Sequence, residues 1–229
     1  MTEIVTLLER HTGTRPLTIA HRAGNHLDSL RHAEEAGVDL VEADIWFYQG
    51  RLEVRHLKTL GPLPLLWDRW ELRAAAGPRL HLADLLQAAR SRTTLMLDLK
   101  GRDHRLATGV VDACQRYLPA RPVVVCARHW SLLDAFAGQP LVTTVHSVGN
   151  RRQAAAVLPR LVRHPRPAVS IHERLLTMAV VRAFKERGAS IITWPVNTAA
   201  QVDKVTGLGV DGVISDELPL LSRIVTAAP

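Results

Sequence analysis

A chain of 229 residues with 47% hydrophobic, 22% charged and only 4% aromatic residues can bury a sizeable core, which excludes a disordered, collagen-like or disulfide-scaffold protein. The formal charge is +7, but the basic residues are mostly Arg, scattered along the chain and without aromatic interleaving; they read as a solvated basic face with no nucleic-acid partner. No apolar run approaches the roughly 18–20 residues that span a bilayer, and the first residues, MTEIVTLLERHTGTR, lack the layout of a secretory signal. Stable membrane insertion is therefore not expected. Cys114 and Cys126 are too few for a Cys-based zinc site and read as unpaired thiols of a reducing, cytoplasmic compartment.

Short runs rich in Val, Ile, Leu and Thr predict strands over 17–23, 38–47, 93–100, 122–128, 141–147, 168–173, 190–196 and 211–215. Such composition suits a parallel sheet buried on both faces. Amphipathic stretches predict helices near 26–36, 82–91, 103–118, 130–138, 150–161, 175–187 and 198–208, with a short one after Leu218. Eight strands alternating with helices over 1–229 describe an α/β chain folded as one compact (β/α)8 TIM barrel domain, with a doubly wound open sheet as the alternative. The rhythm breaks once, between Tyr48 and Leu80, where a long loop holds a strand-like stretch over 51–56. A loop that long inside a compact domain is usually functional.

Strand ends face the mouth of such a barrel. There the sequence places His21-Arg22, then Glu42 and Asp44, then Asp98 and Lys100, with His56 in the loop and His146, His172, Trp194 and Asp216 on later strands. In LVEADIW, Glu42 and Asp44 share one strand face about 7 Å apart, with Val41, Ala43 and Ile45 on the other. In LMLDLK the leucines face outward, and Asp98 and Lys100 inward. Three inward carboxylates carry a heavy desolvation cost unless a cation joins them. Either they hold one divalent cation, Mg2+ or Ca2+ by the all-oxygen donor set, or they form an internal ion-pair network with Arg22 and Lys100. His21 beside Arg22 puts a proton-transfer group next to a fork that grips phosphate. Parity directs His146 and His172 to the same mouth, and Asp216 reads as a cap of the last helix.

HRAG at 21–24, VEADIW at 41–46, His56, LDLK at 97–100, WPVN at 194–197 and DGVISDEL at 211–218 together resemble the glycerophosphodiester phosphodiesterase family. The resemblance implies a divalent-cation enzyme that hydrolyses small glycerophosphodiesters to sn-glycerol 3-phosphate and an alcohol through a cyclic phosphate. It implies His21 and His56 as the general acid–base pair and Glu42, Asp44 and Asp98 as metal ligands. It makes Arg22, Lys100 and Trp194 substrate-binding residues.

Three departures from the family pattern stand out. Ala23 precedes Gly24 where His-Arg-Gly is usual, the Glu-Asn-Thr segment reads Leu27-Asp28-Ser29, and His-Asp reads His56-Leu57. The loop is also too short for an inserted capping domain, leaving a mouth lined by Leu57, Leu60, Leu63, Leu65 and Trp67. Other readings are an enzyme that hydrolyses or cyclises lysophospholipids, an inactive barrel binding a phosphorylated ligand, and a metal-dependent isomerase or aldolase.

Overall fold

The eight apolar runs form strands buried on both faces, as their composition requires. A computed structural model of the protein describes residues 15–59, 65–68, 71–74, 79–162 and 164–227. In chain order the elements are β1 (Leu17–Ala20), α1 (Leu27–Glu35), β2 (Leu40–Tyr48), β3 (Arg51–Val54), β4 (Lys58–Thr59), β5 (Leu65–Asp68) and β6 (Glu71–Ala74). They continue with α2 (Leu82–Ala88), β7 (Thr94–Lys100), α3 (His104–Tyr117), β8 (Val123–Ala127), β9 (Val142–Val148), α4 (Arg151–Leu161) and β10 (Ala168–His172). Last come α5 (Met178–Lys185), β11 (Ser190–Trp194), α6 (Ala199–Gly207), β12 (Gly212–Ser215) and α7 (Leu218–Thr226).

Parallel pairing runs β1-β12-β11-β10-β9-β8-β7-β2, and β2 returns to β1, so the sheet closes into an eight-stranded TIM barrel. Four of the helices start where a side chain satisfies a first backbone donor. Asp103, Asn150, Thr177 and Thr198 each cap one in this way. Outward strand residues such as Leu97, Val125 and Ile191 join the helices in the larger core. Inward residues Leu17, Ile19, Leu40, Met96, Val124, Val145, Ile192 and Ile214 fill the barrel in a second cluster. No helix among the described residues is long and apolar enough to cross a membrane.

Two stretches differ from the expectation. The segment between Tyr48 and Leu80 is structured where described: Gln49 and Gly50, with φ of 46° and 78°, turn the chain back so that β3 pairs antiparallel with the far end of β2. Positive φ at both loop positions matches the twist that a two-residue hairpin needs. Beyond it, β4, β5 and β6 form a small antiparallel sheet. The stretch expected as an α-helix over 130–138 is a 3-10 helix, Trp130–Phe136.

Candidate active site

A cavity of about 710 Å3 opens at the C-terminal ends of the strands, and His21, Arg22, Glu42, His56, Asp98, Lys100 and Trp194 all line it. Asp44 lies directly beneath, almost fully buried. The β2–β7 register sets Asp44 opposite Asp98 and Glu42 opposite Met96. One oxygen from each of Glu42, Asp44 and Asp98 therefore falls within 4.8 Å of the others.

Burial pushes Glu42 well above the usual carboxylate range, and the neighbouring Asp44 charge adds to the effect. Burial likewise raises Asp98. Asp44 goes the other way: its desolvation is outweighed by Lys100 and by hydrogen bonds from His56, Lys100 and Asn25, so it is held below the ordinary range. Lys100 bridges the cluster, with Nζ 2.7 Å from Asp44 Oδ1 and also bonded to Asp98, and those carboxylates raise its pKa against its own desolvation. The ion-pair network with Arg22 and Lys100 is thus real, since Arg22 Nε also lies 3.9 Å from Asp44 Oδ2, yet two cations face three carboxylates. The surplus of buried negative charge and the all-oxygen donors fit one hard divalent cation.

Arg22 takes φ 55°, a left-handed conformation uncommon for a residue with a side chain. It is held there because its backbone N–H donates to Glu42 Oε2 at 2.6 Å. The shifted glycine of HRAG has a steric reason. A Cβ on Gly24 would lie 2.8 Å from the Ala43 Cβ, so only glycine lets this turn press against β2. The turn then delivers Asn25, whose side chain donates to Asp44 Oδ2 at 2.9 Å and accepts from the Asp44 backbone at 2.8 Å. Segment 27–29 instead lies on α1, with Asp28 exposed.

His21 Nδ1 donates to Asp216 Oδ1 at 2.6 Å. That bond is the largest influence holding Asp216 down to about 2. Asn197 steadies the same carboxylate from Nδ2 at 3.1 Å, while its Oδ1 accepts from the Asp216 backbone and from the Ser215 hydroxyl. Asp216 is therefore a partner of His21; the residue at the start of α7 is Glu217. His56 is held at both ring nitrogens, Nδ1 by Asp44 at 3.1 Å and Nε2 by Asp68 of β5 at 3.0 Å.

Trp194 and His172 sit with ring centroids 4.7 Å apart, and both line the cavity. His146 does not reach it. It points to the helix layer, edge-on to Trp130 and His164, while Ser147 takes the inward position. The apolar mouth is also replaced by a polar one: Lys58 and Asp68 line the cavity, whereas Leu57, Leu65 and Trp67 do not. Leu60 and Leu63 lie outside the described residues. The sequence reading missed Asn25, Asp68 and Asn197 and misassigned Asp216. A carboxylate at the end of the strand that closes the barrel beside β1 was the one available signal.

A hard-cation cluster beside anchored imidazoles and a guanidinium, at the mouth of a TIM barrel, is the equipment of a phosphate-ester hydrolase. The chain belongs to the glycerophosphoryl diester phosphodiesterase family, whose sequence pattern matches residues 99–219. That stretch holds Lys100, Trp194 and Asp216; the other site residues come from the part before it. None of the curated proteins matches the chain. Among solved structures, a phosphodiesterase from Oleispira antarctica in complex with the product sn-glycerol-3-phosphate aligns with TM-score 0.77 at 18% identity, over 93% of this chain and 98% of that one. A glycerophosphodiester phosphodiesterase from Thermotoga maritima aligns with TM-score 0.72 at 18% identity, over 91% and 98%. One from Parabacteroides distasonis aligns with TM-score 0.72 at 18% identity, over 93% and 98%. These likenesses concern the fold.

Proposed function

We propose that the chain, as one barrel domain, hydrolyses small glycerophosphodiesters to sn-glycerol 3-phosphate and an alcohol, using His21 and His56 for proton transfer. The observation that carries this reading is the juxtaposition of an anchored His21 with the Glu42, Asp44 and Asp98 cluster in one cavity. The three carboxylates would hold one divalent cation, Mg2+ or Ca2+, which supplies electrostatic stabilisation of a phosphoryl oxygen and lowers the pKa of a nearby hydroxyl.

The chain's own residues supply the rest. Arg22 offers a guanidinium fork to the phosphate, and Lys100 holds the carboxylates in place. With Nδ1 tied to Asp216, His21 presents Nε2 as its working nitrogen. In the first step the glycerol 2-hydroxyl attacks phosphorus, one imidazole takes its proton, and the bond from phosphorus to the alcohol oxygen breaks. The second imidazole protonates that oxygen. Water then opens the cyclic phosphate with the proton roles reversed. His56 enters oriented by Asp44, with Asp68 on Nε2 until substrate displaces it. Trp194 forms part of the wall around the substrate.

The charged lining at Lys58 and Asp68 favours a water-soluble diester over a lysophospholipid. The cysteines, free and buried, are in keeping with a cytoplasmic site of action. The test is release of sn-glycerol 3-phosphate from glycerophosphocholine and glycerophosphoethanolamine with Mg2+, with Ca2+ and with chelator, beside His21→Ala and Glu42→Ala. Cation-dependent release lost in both variants supports the reading. A folded protein that binds a divalent cation and releases nothing overturns it.

A further inference from the structure

The cavity is charged unevenly. Its β12–β1–β2–β7 side carries the carboxylates together with Asp68 and Asp216, whereas its β8–β10 side is lined by Arg128, His129 and His172. Arg128 is exposed, and its guanidinium lies over Gly149, where an added Cβ would come within 3.2 Å of Nη2. A side chain at 149 would displace it, so the glycine leaves the space it occupies. Among the described residues, no hydrogen bond or ion pair engages that guanidinium. Asp98 feels its charge but is already bonded to Lys100.

The surroundings reinforce the same sign. Arg102 donates to His129 at 3.3 Å and Arg174 donates its backbone N–H to the His172 ring, and neither guanidinium has a carboxylate partner among the described residues. The acids beside these residues in sequence are engaged elsewhere: Glu173 is paired with Lys204 and Asp103 with Arg105. Burial lowers the pKa of His129 and of His172, and the charges of Arg102, Arg128 and Arg174 lower it further. Both rings therefore serve this arc as neutral hydrogen-bonding groups beside fixed cations. The Trp194 and His172 rings lie tilted at 54° with centroids 4.7 Å apart, so an imidazole shares this part of the aromatic wall.

We infer that Arg128 and the arc around it receive an anionic group on the alcohol half of the diester, so that the enzyme prefers head groups carrying a carboxylate or phosphate over cationic ones. This rests on the glycerophosphodiester reading and adds the head-group class. With the scissile phosphate at Arg22 and the carboxylate cluster, and with the glycerol half uncharged, the alcohol half is the part of the diester that can offer Arg128 an anion. A guanidinium there without a partner attracts an anion and repels an ammonium.

Glycerophosphoserine and glycerophosphoethanolamine differ by one carboxylate and make the test. At low ionic strength kcat/KM favours the serine diester by about tenfold, the scale of one exposed charge-assisted hydrogen bond, and added salt shrinks the ratio. Glycerophosphoglycerol bearing a terminal phosphate is likewise preferred over glycerophosphoethanolamine; the absence of that preference overturns the phosphate half of the inference. Arg128→Gln brings the serine-to-ethanolamine ratio toward one through KM. Arg182→Gln, on the outer surface of α5, leaves the ratio where it was. A wild-type ratio at or below one overturns the inference and leaves the reading standing. So does an equal loss on both diesters in Arg128→Gln, which would put Arg128 on the scissile phosphate. Cleavage of neither diester by the wild type overturns the reading and the inference together.

Discussion

The two histidines of the mouth are held by different kinds of structure. His21 follows a strand of the closed barrel, and its partner Asp216 follows the neighbouring strand, so hydrogen-bonded register fixes both ends of the pair. His56 lies on the excursion beyond the β2–β3 hairpin. Asp44 of the barrel grips one nitrogen, and Asp68, from a small sheet with only three strands, grips the other. A closed barrel orients a side chain through pairing on both edges of every strand. An appended sheet has free edges and less core behind it. The His21 corner is thus a rigid positioning device, and the His56 corner holds one firm contact and one yielding contact.

The largest expected effect falls on the residue common to the cluster and the His56 corner. Asp44→Ala removes a candidate cation ligand and the Nδ1 partner of His56, and should lower kcat by roughly 10³-fold or more, read at saturating Mg2+ or Ca2+. His21→Ala and His56→Ala should each cost roughly 10²–10⁴-fold in kcat; a tenfold or smaller loss for either would remove it from proton transfer. Asp216→Asn should cost about 10²-fold in kcat with little change in KM, because a loosened imidazole is misplaced. Asp68→Asn should cost about tenfold or less, since Asp44 still orients the ring. If Asp68→Asn proves the more damaging of the two, the contrast between rigid and yielding corners is wrong.

Two smaller effects probe the scaffold. Gly24→Ala forces a Cβ against Ala43 and should destabilise the fold by about 1–3 kcal/mol, measured as a shift of the urea midpoint. His146 is held down from 6.5 to about 4, first by burial and then by the nearby His164. The unfolded chain therefore takes up its proton first. Stability from this residue is complete above pH about 6.5 and is lost as the pH falls toward about 4. Urea midpoints at pH 7 and pH 4.5 should differ more in the wild type than in His146→Gln.

The barrel was legible because two-sided burial demands continuous apolar runs, and eight of them alternate with helical stretches. The inward carboxylates were legible too: Glu42 and Asp44 stand two apart in a strand whose alternate residues are all apolar. Parity failed at His146 because Thr143, Thr144 and Ser147 put polar groups on both faces of β9 and blur the alternation.

Composition and local periodicity alone determined the eight barrel strands, most of the helices and which face of β2 and β7 carries charge, since these depend on neighbours along the chain. Tertiary structure decided the partners. His21 meets Asp216 across 195 positions because β12 closes the barrel against β1. Asn25 reaches Asp44 because Gly24 permits close approach, Asp68 reaches His56 because the small sheet sits at the mouth, and Arg128 has no counter-ion among the described residues around it. Pairings of this kind depend on distance in space, to which separation along the chain is no guide.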